Sequence, residues 1–357
     1  MPVDHLDTIT ITILLDPAPI TGLSFTVLVI ADEANGTTLD GARVRTYTSL
    51  AGVQADNTAG FVSAGILATA TAMFSQAVRP SEIKIGRKAV AEAYDVALAA
   101  IITVDADFFA LSIESRLAAD QLLIAAAVEA GDPKRIFFLQ SADATFLTAG
   151  FPAALAGLDG NEQSVVCYHD VATAAYDAAY PANRLARSPD VVSANWSQFT
   201  LAGVAVYATA PTESEKANLL ANKANPGLPF TTAAQFSPFR GVNANARPIE
   251  ELVTQAWFED RLRTRIAALV LQQNNLFQKI PVTPEGQAQI GGEVSAQFVD
   301  GVNAGHFVPG QTEVTYPTIT DADRAANRIR VEGRGQLAVS GKEFDVTLNF
   351  VRDPIFA

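Results

Sequence analysis

Cysteine is almost missing from this chain, with Cys167 alone among 357 residues. That excludes an intrachain disulfide framework and a cysteine-built zinc site. Histidine is nearly as scarce: His5, His169 and His306 lie far apart, and none sits at a metal-ligand spacing such as H-x-x-x-H. Charge is thin as well. Asp, Glu, Lys and Arg make up 18% of the residues, against roughly 25% in an ordinary soluble domain. The charge present leans acidic, 25 Lys and Arg against 38 Asp and Glu, for a net −13. A protein that coats duplex DNA needs the opposite sign, so no direct nucleic-acid partner is expected. Apolar runs such as 96–104 reach about half of the ~20 residues a spanning helix needs, so no membrane insertion is expected. The first seven residues are acidic and lack a basic leader region, which predicts synthesis and retention in a cytosol.

What is present is apolar bulk, 49% of the chain, with a mean hydropathy of +0.18. Together with the thin charge, this predicts a subunit that covers part of its surface with other copies. The first periodic signal is 8–13 (TITITI), a strict alternation that reads as a strand with one buried face. The break 16–19 (DPAP) sets it off, so it can fold back on its own domain or reach a neighbour. From 24 to 169, apolar strands alternate with helices. Strands are expected over 24–31, 82–86, 108–113, 135–140 and 164–168, and helices over 61–76, 89–100, 117–129 and 146–156, with a polar segment over 32–60. This is an α/β layer with a largely parallel or mixed sheet. Between 181 and 247 Pro, Asn, Gly and aromatics predominate, which reads as loops with one helix over 213–221 capped by Thr212. Pro248 then opens a long helix that Pro281 stops, and 283–285 (TPE) starts a second one running to about 303. Strands follow over 313–318 and 328–339, the latter with Gly333 and Gly335 in place of side chains. A clean period-2 strand, Phe344, Val346, Leu348 and Phe350, closes the chain.

Catalytic motifs are hard to find. No phosphate-binding loop, nucleophile elbow or dinucleotide fingerprint occurs. Cys167 and His169 share one strand face, but a buried strand thiol beside a strand-end imidazole explains them more simply. Asp105, Asp107 and Glu114 read as solvated loop carboxylates. Arg261, Arg263 and Arg265 form either a contact stripe or the solvated face of a helix.

From 188 to 310 the chain resembles the contractile tail sheath proteins of bacteriophages with myovirus-type tails, in a compact variant. An ordered series carries the resemblance: 187–190 (RSPD) before Trp196, 199–204 (FTLAGV), 215–225 (EKANLLANKAN), and the Gly241 segment leading to Ile249 and Glu250. The helix with Trp257 and 261–270 follows, then 280–286 (IPVTPEG) and 305–310 (GHFVPG). The α/β half before it carries no matching motif. The resemblance implies a structural subunit, not an enzyme, with no cofactor. Such subunits stack as six-fold rings into a helical cylinder around a tail tube, joined to baseplate and tail terminator proteins. Their contraction drives the tube through the host envelope, in a virion tail assembled in the bacterial cytoplasm. It also implies extended strand arms at both chain ends that join neighbouring subunits. The residues suited to this are Thr8, Ile9, Ile11 and Ile13 at one end and Phe344, Val346, Leu348 and Phe350 at the other. Arg261, Arg263 and Arg265 are the candidates to face the tube.

The expected architecture is therefore an outer α/β body with a mixed sheet (24–247) and an inner α+β assembly domain built from both termini. The inner domain takes an N-terminal arm and linker (1–23) and 248–357. Two alternatives stand beside this reading: a cytosolic α/β enzyme with an unrecognised site near Asp32, Asp143 or Asp170 at the strand ends, and the sheath of another contractile injection machine.

Overall fold

The computed structural model describes residues 8–9, 23–228 and 236–339 of the chain. The expected strand 344–350 and most of 8–13 lie outside them. After β1 (Thr8–Ile9), the body begins with β2 (Val27–Asp32), β3 (Val44–Tyr47), α1 (Leu50–Thr58), α2 (Ala64–Phe74) and β4 (Ile83–Lys88). It continues with α3 (Tyr94–Val104), β5 (Ala110–Ile113), α4 (Ala118–Ala130), β6 (Ile136–Ser141), β7 (Ser164–Tyr168) and α5 (Tyr176–Arg184). α6 (Glu213–Ala221), β8 (Ala224–Leu228) and β9 (Ser237–Pro238) complete it. Its strands form one eight-stranded sheet in the order β3-β4-β2-β5-β6-β7-β8-β9, parallel except at the two edges.

Both faces of that sheet are covered, which is why its strands read as continuous apolar runs. Along β2, Val27, Val29 and Ala31 join one core with Ile66, Met73, Tyr176 and Tyr180 from α2 and α5. Leu28 and Ile30 face the other way, with Leu98 and Ile101 of α3, Ile124 of α4 and Leu219 of α6. Side chains of successive strand residues point to opposite faces, so one short strand feeds two cores.

The remainder is a helix pair under a small sheet. α7 (Ile249–Asn275) has 27 residues, about 40 Å by helical rise. It is followed by α8 (Pro284–Asn303), β10 (Phe307–Thr315), α9 (Asp321–Ala325) and β11 (Glu332–Leu337). β1, β11 and β10 form a three-stranded antiparallel sheet. α7 serves both parts. Its first turns (Ile249, Leu252, Val253) sit in the body's core, while Trp257, Phe258, Leu262 and Ile266 build a second core with Val294, Phe298 and Phe307.

Several elements differ from expectation for identifiable reasons. The helix expected over 61–76 begins at Ala64, where Ser63 caps it, and α1 and β3 occupy part of the supposed polar segment. The helix expected over 89–100 begins only at Tyr94. Gly150 adopts a positive φ of 97° and Pro152 follows, so the helix expected over 146–156 splits into 3-10 turns at Ala144–Leu147 and Ala153–Leu158. α7 ends at Asn275, before Pro281 is reached, and Phe277 then takes φ 56°. No helix among the described residues is long and apolar enough to cross a membrane.

Candidate functional site

The joint between the body and the helix pair gathers most of the residues that looked family-like. Pro248 precedes α7 and Glu250 and Glu251 occupy its first turn, where carboxylates suit the helix dipole. Two turns on, Trp257 Nε1 donates to Asp190 Oδ1 at 2.7 Å, and Arg261 grips the same carboxylate through Nε at 2.8 Å and Nη2 at 2.9 Å. Arg261 above all, with Trp257 and Ser188 adding hydrogen bonds, holds the Asp190 carboxyl well below the usual carboxylate range despite its partial burial. His306 stacks on Trp257 with ring centroids 4.4 Å apart and planes at 15°. Its Nε2 lies 2.8 Å from the Pro189 carbonyl, which can only accept, so Nε2 carries the proton. Nδ1 then accepts from the Thr254 hydroxyl at 2.7 Å, and burial pushes the imidazole pKa down. On the next side of α7, Asp260 accepts from Arg261 Nη1 at 2.7 Å and from the Leu23 backbone N–H at 2.8 Å. Leu23, the 188–190 loop and the 305–306 turn are thus fastened to a single helix.

The small sheet is the second component. Thr8 lies opposite Arg334 and Ile9 opposite Gly333. A Cβ on Gly333 would come within 2.8 Å of the Phe298 ring, and one on Gly335 within 2.9 Å of both Phe298 and Phe307. These glycines let Phe298 of α8 and Phe307 of β10 lie directly against the backbone of β11. Gly335→Val is therefore expected to cost about 1–3 kcal/mol through overpacking. Gly292→Ala, in helix α8 with nothing within 4 Å of the added carbon, should instead be neutral or gain about 0.5–1 kcal/mol. Urea unfolding of the two variants checks the contrast. On its far side β10 pairs with no strand among the described residues, leaving an edge able to accept one.

No family model matches the chain, and no curated protein matches it in sequence. Solved structures do match. The anti-feeding prophage (AFP) helical sheath in its contracted state is similar with a TM-score of 0.65 at 16% identity, over 96% of this chain and 99% of that one. The PVC sheath complex of an extracellular contractile injection system, also contracted, gives 0.64 at 14% identity over 99% and 97%. The sheath tail protein from Listeria innocua gives 0.51 at 11% over 74% and 62%. The chain has the contractile-sheath fold.

Within this sheath fold the expected site residues fall in different places. Thr8 and Ile9 lie in β1, while Ile11, Ile13, Phe344, Val346, Leu348 and Phe350 are outside the described residues. Arg261 and Arg265 line a cleft between α7 and α8. Two residues turn a helix by about 200°, so Arg263 points away from that cleft, and it pairs with Glu259 at 3.0 Å. Arg265 bonds Gln297 at 2.9 Å and pairs with Asp300. All three arginines are thus ion-paired within the chain. Asp190, Asp260 and Asp300 went unnoticed as partners because they lie far from these arginines in sequence or read as ordinary surface acids.

The groups named for an enzyme serve the fold. Asp32 caps the turn at Glu33–Asn35 and pairs with Lys88 at 2.9 Å, and Asp143 caps Ala144–Leu147. Asp170 accepts from the Ala208 N–H at 2.8 Å. His169 spends Nδ1 on the Val171 N–H and Nε2 on the Ala205 carbonyl, and burial pushes the Cys167 thiol pKa well up. At the crevice where the sheet order reverses, between β2 and β5, the chain's own Glu114 accepts the Asp32 N–H at 2.8 Å and stands 3.5 Å from where a Cβ on Gly65, in the first turn of α2, would lie. The position at which such sheets hold anionic ligands is filled by a side chain.

Proposed function

We propose that this protein is the structural subunit of a contractile sheath, polymerising helically around a tube and shortening to drive it through a target envelope. The observation that carries the reading is the near end-to-end correspondence with the AFP and PVC sheath chains. A shared body alone would match in part. Here the likeness extends over 96% of this chain and 99% of the AFP sheath chain, and over 99% and 97% for the PVC sheath.

In this reading 24–247 form the outer body, and 1–23 with 248–357 form the inner assembly domain. The alternating segments of both arms supply strands to neighbouring copies, with the β10 edge as one acceptor. The contacts are heterologous and continue as a helix of stacked six-fold rings. Contraction draws on the difference in interface free energy between two packings. The tube, baseplate and terminator proteins are the further partners, in a phage tail or an extracellular injection system assembled in the bacterial cytoplasm. A tube contact through Arg261, Arg263 or Arg265 would exchange their internal carboxylate partners for external ones. With −13 per copy, assembly works against self-repulsion and should strengthen with salt.

Negative-stain microscopy of the purified full chain at rising ionic strength tests the proposal. Striated cylinders are expected; monodisperse particles at every concentration and salt would overturn it.

A further inference from the structure

Helix α7 ends in a conformation from which its own chain gains nothing. Its last buried residue is Ile266, and no residue over 267–285 is buried, so its final turns and the link to α8 form a tip at the edge of the core. There the Phe277 N–H donates to the Asn274 carbonyl at 3.0 Å and the Gln278 N–H to the Gln273 carbonyl at 2.9 Å. This is the Schellman pair of bonds. Phe277, at φ 56°, holds the left-handed position where helices usually place glycine. A Cβ makes that conformation costly, and a bulky side chain makes it rarer still. Burial of the ring could offset the cost, but Phe277 is fully exposed. Leu276 beside it is 57% exposed and Leu271, in the same tip, 63%. An exposed apolar residue is ordinary by itself. An aromatic held in water by a turn that disfavours it points to a partner outside the chain.

Charge identifies the partner. Between Arg265 and Glu285 the only charged residue is Lys279. Copies of this chain, each at −13, repel one another, so contacts between them form most readily where acidic groups are absent. The tip is such a place, and its lysine is drawn to an acidic neighbour. We propose that the tip of α7 is a contact between copies, in which Phe277, flanked by Leu276 and Leu271, inserts into an apolar surface of the adjoining subunit. An aromatic side chain buries about 150–250 Å², well short of the ~800 Å² per partner of a stable pair. The contact therefore holds no free dimer and acts where an array repeats it. The inference rests on the polymerising reading above and adds to it a contact that strand exchange does not require.

Phe277→Trp in the full chain reads the contact directly. Trp196 and Trp257 are each 1% exposed, so acrylamide quenching reports chiefly on the introduced indole. It is expected to be open to the quencher in the dispersed subunit, and shielded, with blue-shifted emission, in sedimented cylinders. Phe277→Gly separates contact from fold. Removing the ring and the left-handed strain together should leave the urea midpoint of the dispersed subunit unchanged or higher. The concentration needed for cylinders should rise about ten- to a hundredfold, the worth of burying one large apolar side chain. Cylinders whose introduced indole stays open to the quencher, or that form as readily from Phe277→Gly, overturn this contact and leave the sheath reading standing. A chain that stays dispersed under every condition overturns both.

Discussion

A chain ending at Glu343, or one lacking residues 8–13, is expected to keep its folded body and lose the ability to form cylinders. Phe344, Val346, Leu348 and Phe350 alternate with polar residues, so a strand made from them buries one apolar face on an acceptor sheet. Each large apolar side chain transferred from water contributes about 1.5–3 kcal/mol, so four of them hold about 6 kcal/mol or more per contact before the entropy of ordering the arm is charged. Keeping only about 4 kcal/mol of that shifts the concentration needed for growth roughly a thousandfold, at 1.4 kcal/mol per factor of ten. Among the described residues, the body's two cores draw on β2, β5, β6, β7 and their helices. Sedimentation velocity should therefore show a monomer whose body stays folded, with the loss of 8–13 also removing β1 from the small sheet, and microscopy should show no cylinders. Long tubes from either truncation would remove strand exchange from the mechanism.

How much of this could be read from the sequence depends on whether the deciding forces were local. β7 (Ser164–Tyr168), α6 (Glu213–Ala221) and α8 (Pro284–Asn303) are legible because each carries its own signals: an apolar run, the Thr212 cap, a proline at the first turn. α5 was missed. Pro181 lies inside it and its sequence is polar on average, yet most of its residues are buried. The surrounding core, not helix propensity, sustains that helix. β8 (ANPGL) was missed for the same reason: Gly227 looks like a turn residue, but the Phe236 ring occupies the place of its absent side chain. The joint followed a similar course. Each of its pieces stood in the sequence as a fragment, 187–190, Trp257, Arg261 and 305–310. That Asp190 receives both the indole N–H and the guanidinium is a consequence of tertiary folding across 67 and 71 positions, and no spacing rule connects them.

The largest loss of stability from one substitution is expected at Arg116, which no motif singled out. Arg116 follows β5 and reaches Asp177 in the first turn of α5 through Nη1 at 2.6 Å and Nη2 at 3.0 Å, while also donating to the Ile113 and Ala172 carbonyls. The Asp177 side chain is 1% exposed. Burial pushes its pKa up, and Arg116 is the main influence pulling it back. Arg116→Ala leaves a buried carboxylate without its counter-ion, a change that costs about 3–5 kcal/mol. The pH dependence separates this from simple loss of packing. A carboxyl whose folded pKa lies above its unfolded value binds more protons when folded, so its contribution to stability falls as pH rises from the unfolded pKa through the folded one. Removing Arg116 raises the folded pKa further and widens that window. The stability difference between wild type and Arg116→Ala should thus be largest at neutral pH and shrink toward pH 4, where Asp177 is protonated in the variant's folded state and needs no partner. Urea titrations at pH 7.5, 5.5 and 4.5 measure it. A difference that stays constant across this range would mean that Arg116 acts through its carbonyl contacts and packing, with Asp177 protonated already in the wild type.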